Sequence, residues 1–175
     1  MEIKNRKTCI GIGILVITIL VLLDQFTKHL AVLYLKDQPN IIWIKNVMEL
    51  EYLENRGAAF GILQNQQWLF IMLFFLFVTA VIIFYCRMPM EKKYLPVQIL
   101  SLFLIAGGLG NLIDRIRLGY VIDFFYFSLI HFPVFNVADI YVTVSMVVLF
   151  LLFIFYYKEE DFDLLFSFGM KKEKK

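Results

Sequence analysis

Long apolar runs alternate along the chain with shorter polar connections. Thr8 to Leu23 carries no charge, and the apolar pattern continues past Asp24 to about Leu35. Trp68 to Cys86 is uncharged, Tyr94 to Ile113 is uncharged, and Val134 to Tyr157 is broken only by Asp139. About 20 apolar residues suffice to carry an α-helix across the hydrocarbon core of a bilayer. The runs therefore predict four transmembrane helices, over about 8–35, 68–86, 94–113 and 134–157, followed by a tail at 158–175. Lys4, Arg6 and Lys7 precede the first run as they would in a secretory signal. Asp24-Gln25-Phe26-Thr27-Lys28 follows it, however, in place of a small-residue cleavage site, so it is expected to remain as a helix. One stretch has a different period. Apolar and polar positions alternate every second residue around Met48-Glu49-Leu50-Glu51-Tyr52, which predicts a strand. Asn55-Arg56-Gly57-Ala58-Ala59-Phe60-Gly61 comes next, with small residues suited to a turn or a close backbone approach. The expected fold is an all-α membrane protein, a single integral membrane domain over 1–175 with four transmembrane helices and a small extracytoplasmic β-strand region.

Composition agrees with the pattern. Of 175 residues, 61% are hydrophobic and 18% charged, against about half and a quarter in soluble domains. A chain this short cannot bury so much apolar surface in a soluble core. Disorder and a disulfide scaffold are excluded on the same figures. Cys9 and Cys86 end apolar runs and read as small packing groups. His29 and His131 form no H-x-x-x-H pattern, and there is no C-x-x-C, so neither a metal nor another cofactor is expected. A net charge of +2 without a basic stripe excludes nucleic acid as a partner.

The basic residues set an orientation. Lys4, Arg6 and Lys7 precede the first run; Arg87, Lys92 and Lys93 follow the second; Lys158, Lys171, Lys172, Lys174 and Lys175 follow the fourth. With four spans these eleven of 17 basic residues lie on one side, which predicts that both termini are cytoplasmic. The connections at about 36–67 and 114–133 then face outward, and Trp43 and Trp68 suit the outer interface. The lysine-ended tail is expected to lie against anionic membrane lipid.

Ionisable residues inside spans are costly, so each is a candidate functional group. Asp24 lies 16 residues beyond Thr8, roughly 24 Å along a helix. Asp114 lies 20 residues beyond Tyr94, roughly 30 Å along. Asp139 lies 18 residues before Tyr157, roughly 27 Å along. Asp123, in the short connection after the third span, can reach the same level, and Asn55, Asn111 and Asn136 stand alongside. Taken singly, each has a structural explanation. Asp24 can cap a broken helix or pair with Lys28 one turn on, Asp114 can be an interfacial residue beside Arg115, and Asp139 can be an N-cap-like group at the start of the fourth span. Four carboxylates converging on one layer point further. Two held together share a proton, so that one can activate water while the other polarises a carbonyl oxygen. No Gly-x-Ser-x-Gly offers a nucleophile. Gly107-Gly108-Leu109-Gly110-Asn111 lacks the Lys-Ser/Thr ending of a phosphate loop and is expected to pack helix against helix. A proton-coupled transporter or channel is the rival reading, weakened by the absence of an internal repeat and by the off-centre carboxylates. A non-catalytic scaffold leaves the four charges unexplained.

Five segments together resemble the bacterial lipoprotein signal peptidases (signal peptidase II), in the family's order. They are Asp24-Gln25-Phe26-Thr27-Lys28, Asn55 to Gly61, Gly107 to Arg115, Val121-Ile122-Asp123-Phe124 and Phe135-Asn136-Val137-Ala138-Asp139. The resemblance spans nearly the whole chain short of the tail, with no departure inside the motifs. It implies a membrane aspartyl endopeptidase without cofactor. Such an enzyme removes the signal peptide from a diacylglyceryl-modified prolipoprotein, cutting just before the lipidated cysteine. It implies that Asp123 and Asp139 are the catalytic pair. Asn55, Gly57, Asn111, Arg115 and Asn136 would surround the site, with Asp24 and Asp114 supporting it. For Arg115 a structural ion pair with Asp114 is the preferred expectation over contact with the peptide. The resemblance also implies inhibition by globomycin-type cyclic peptides and a place in the bacterial inner membrane, with the active site near the outer leaflet.

Overall fold

The computed structural model describes residues 6–57, 63–89 and 91–161. Four helices, α1 Arg6–Tyr34, α2 Gln67–Arg87, α3 Leu95–Leu118 and α4 Val137–Phe155, alternate with three strands, β1 Ile41–Ile44, β2 Met48–Asn55 and β3 Val121–Tyr126. The helices of these four segments are long and apolar enough to cross a membrane. Two helix ends differ from the hydropathy pattern for local reasons. The third span runs on past Ile113 to Leu118, because nothing interrupts the backbone before Gly119, which closes the helix in the left-handed region at φ 78°. Asp114 and Arg115 therefore sit within a helix rather than at its edge. The fourth helix starts at Val137, not Val134, because Phe135 exchanges backbone hydrogen bonds with Phe125 at 2.8 and 2.9 Å.

The strands form one antiparallel sheet in the order β1-β2-β3. The expected strand around residues 48–52 is the middle of β2. β3 replaces part of the expected connection at 114–133; its Val-Ile-Asp-Phe-Phe-Tyr sequence has the β-branched and aromatic character that a pleated surface favours. Ala31 and Leu35 at the end of α1 pack with Ile122 and Phe124 of β3, with Leu50 and Tyr52 of β2 against them, so the sheet is fixed to the helix end by apolar burial.

Burial across the helices is inverted relative to a soluble protein. Ile14, Leu15, Leu22, Phe150 and Phe155 are exposed, while Asp24, Lys28, Gln98, Ser101, Asp114, Asn136 and Ser145 are buried. An apolar solvent around the helices explains both halves of that pattern. α3 is the most enclosed helix and packs on the other three, and small residues make this possible. A Cβ at Gly107 would stand 2.6 Å from the Ala138 carbonyl oxygen, and one at Gly110 would run into the Asp24 carboxylate. The expected helix-packing role of this glycine-rich segment is what the backbone shows. At the end remote from the sheet, Asp161 accepts from the Lys158 N–H at 2.9 Å and the Tyr94 hydroxyl at 2.7 Å and pairs with Lys93, while Tyr94 stacks on Tyr157. The chain after α4 is thereby tied to the connection between α2 and α3. Residues 162–175 of the expected lipid-binding tail, and Lys4, lie outside the described residues.

Candidate active site

The buried polar groups meet where α1, α3 and the start of α4 reach the sheet. β3 presents Asp123, which is 1% exposed. Its Oδ1 accepts from Asn136 Nδ2 at 2.6 Å and its Oδ2 from Asn55 Nδ2 at 2.8 Å. Burial in this setting, with the charge of Asp139 nearby, pushes the Asp123 carboxyl up to about 7 despite its amide donors.

Asp139 comes from the first turn of α4. Its Oδ1 accepts from Asn111 Nδ2 at 2.8 Å and its Oδ2 from the Asn136 backbone N–H at 3.1 Å. The Asp139 N–H in turn donates to Asn136 Oδ1 at 3.0 Å, completing a capping box. The cap itself is Asn136 rather than Asp139, which is its third-position partner in the box, and that role does not compete with one in the site. Asn136 uses its oxygen for the cap and its nitrogen for Asp123, since its side-chain amide carries an acceptor and donors on separate atoms. Among the described residues the two carboxylates are joined through Asn136 rather than to each other.

A second layer holds this arrangement. Lys28, 1% exposed, pairs with Asp24 at 3.0 Å and with Asp114 at 2.9 Å, and donates to Asn111 Oδ1 at 3.0 Å. With its oxygen engaged by Lys28, the Asn111 amide is turned so that its nitrogen meets Asp139. Asp24 Oδ1 accepts from the Ala138 N–H at 2.9 Å, anchoring the start of α4, and Asp114 Oδ2 accepts from the Ile122 N–H at 3.2 Å, anchoring β3. Gln25 reaches Asp24, Asp114 and the Gly110 carbonyl within 3.2 Å. Lys28 and Gln25 were absent from the site residues expected from sequence. A lysine one turn after an aspartate, both within an apolar run, was the available signal.

The expected Arg115–Asp114 ion pair is corrected by the structure. Lys28 occupies Asp114, because it approaches from α1 into the same buried layer. The Arg115 guanidinium instead donates to the carbonyls of Gly57 at 3.3 Å and Asn111 at 3.5 Å, and lies over the Phe70 ring at 4.6 Å. The Gly57 N–H donates to Asn55 Oδ1 at 3.0 Å, which leaves Nδ2 of that amide for Asp123. Residues 58–61 of this motif lie outside the described residues.

The sequence profile of the family described as Signal peptidase (SPase) II matches residues 16–155, which take in every residue of this site. This chain belongs to the signal peptidase II family. Among its relatives, the lipoprotein signal peptidase of Clostridioides difficile is 43% identical over 143 residues, 82% of this chain and 95% of that protein. The lipoprotein signal peptidase of Streptococcus thermophilus is 42% identical over 157 residues, 89% of this chain and 97% of the relative. A solved structure described as a bacterial membrane enzyme superposes with a TM-score of 0.74 at 27% identity, covering 100% of this chain and 99% of the other. A second bacterial membrane enzyme gives 0.71 at 29% identity, over 85% and 96% of the two chains. As a signal peptidase II, the chain is a protease of a bacterial membrane, crossing it several times. The transporter and scaffold readings give way to that assignment.

Proposed function

We propose that Asp123 and Asp139 are the catalytic pair of a lipoprotein signal peptidase. It hydrolyses the peptide bond just before the diacylglyceryl-modified cysteine of a prolipoprotein. The observation that carries this reading is the placing of two carboxylates, from β3 and α4, on one asparagine, with Asp123 held up at about 7. Asp139, ionised, takes a proton from water as it adds to the scissile carbonyl carbon. Asp123, protonated, gives its proton to the carbonyl oxygen. Collapse of the tetrahedral intermediate breaks the C–N bond; Asp139 returns a proton to the leaving amine and Asp123 recovers its own from the new carboxyl group. Asn55, Gly57 and Arg115 line the approach of the peptide, while Asp24, Asn111, Asp114 and Asn136 hold the pair.

The site lies at the outer leaflet, both termini lie in the cytoplasm, bilayer lipid surrounds the helices, and globomycin-type cyclic peptides compete for the same cleft. Orientation is supported by the basic flanks and by the sheet standing at the opposite end from Asp161 and Lys93. Initial rates on a lipidated prolipoprotein test the pair. Asp123→Asn and Asp139→Asn should each lower turnover by about 10²–10⁴-fold. The double change should be scarcely worse, because the two act in one step. Substantial turnover by Asp139→Asn would overturn the proposal.

A further inference from the structure

Among the cavities formed by the described residues, one reaches the candidate site from the helices and another lies along the sheet, and they differ in kind. One, of about 320 Å³, opens between the helices; Phe70, Phe74 and Val142 line it, and Asn111 and Arg115 form its end toward the site. The other, of about 380 Å³, lies on the sheet side; Glu51, Leu53, Tyr126, His131, Phe132 and Val134 are among its lining residues. Leu53 stands opposite Asp123 in the β2–β3 register, so the second cavity begins one strand away from the catalytic carboxylate. Val134 leads within two residues to Asn136, which holds that carboxylate. A peptide crossing the pair therefore has an apolar side, among the helices, and a mixed polar side, on the sheet. A signal segment is apolar and stays with the helices, so the chain beyond the cut must take the sheet side. Glu51 supplies the carboxylate of this cavity, and its Oε2 accepts from Asn40 Nδ2 at 3.3 Å. His131 is engaged with the Tyr126 hydroxyl at 3.1 Å.

We propose that the sheet-side cavity is a subsite for the substrate residues that follow the lipidated cysteine, and that Glu51 makes it favour a cationic side chain there. The proposal rests on the peptidase reading and adds a specificity that this reading does not contain. An attraction gained with lysine and a repulsion incurred with glutamate act in the same direction across a partly exposed pair, so together they give about tenfold discrimination.

The test uses the full chain in detergent and two lipidated prolipoprotein substrates that carry either lysine or glutamate at both residues after the cysteine. For the unsubstituted protein, kcat/KM should favour the lysine substrate by about tenfold. Glu51→Gln, whose Oε1 can still accept from Asn40, should bring the ratio to within about twofold, and Glu51→Lys should invert it. A general disturbance of the sheet would lower both substrates together and leave the ratio alone. Equal cleavage of the two by the unsubstituted protein, or a ratio untouched by Glu51→Gln, would remove the subsite and leave the peptidase standing. Failure to cleave either substrate would remove the peptidase reading, and the subsite with it.

Discussion

At Asn136 a single amide serves both halves of the site, capping α4 on the Asp139 N–H at 3.0 Å and binding Asp123 at 2.6 Å. Its geometry makes the ionisation of Asp123 the natural point at which to probe the reaction. The raised value means that the folded protein binds this proton more tightly than the unfolded chain does. The contribution to stability is full below the ordinary carboxylate range and is lost as pH rises through about 7. Activity should follow the same proton. The alkaline limb of kcat/KM is expected near pH 7, where the acid that protonates the carbonyl oxygen disappears; a profile flat to pH 9 would assign that role elsewhere. Lys28 is the other residue whose loss should be felt widely. Lys28→Met leaves Asp24 and Asp114 buried without their cation, a loss of about 3–5 kcal/mol. Thermal unfolding in detergent would register it, and an unchanged melting temperature would show that the two carboxylates find other partners.

Between elements, the decisive contact is α3 against the first turn of α4. Gly107 and Gly110 bring the helix backbones close enough for Asp24 to reach the Ala138 N–H and for Asn111 to reach Asp139. A methyl group at Gly107 would meet the Ala138 carbonyl at 2.6 Å and Val142 Cγ2 at 2.7 Å, and neither backbone nor a β-branched side chain yields easily. Gly107→Ala should destabilise by about 1–3 kcal/mol, as overpacking does. It should lower kcat more than a general loss of stability explains, because α4 carries Asp139. Gly11→Ala is the matched control, since a Cβ there meets nothing within 4 Å. Equal behaviour of the two variants in unfolding and turnover would mean that the helix spacing is not what positions Asp139.

Across the whole molecule, the two ends have opposite characters. One carries the sheet and the site; the other carries the Asp161 cluster beside Lys93. Outside the spans, Asp161 is held down to about 2 by the Lys158 N–H, Lys93 and the Tyr94 hydroxyl, so it stays charged at any ordinary pH. With the basic flanks on that same end, a reporter active only outside the membrane and fused after Tyr157 should be silent. Activity from that fusion would reverse the orientation and place the site on the cytoplasmic face.

The existence of four spans, their order and the layer at which carboxylates gather could be read from the chain alone, because bilayer thickness and the cost of buried charge act on local sequence. The strand at residues 48–52 could be read too, since alternation is local. β3 could not, because Val121–Tyr126 becomes a strand by pairing with β2, far away along the chain. The partner of Asp114 was hidden for a related reason. Arg115 is its neighbour in sequence, but on a helix adjacent side chains diverge, and Lys28 reaches it from another span. Which donor faces which carboxylate depends on how closely α1, α3 and α4 approach, and that distance is set by tertiary packing around Gly107 and Gly110.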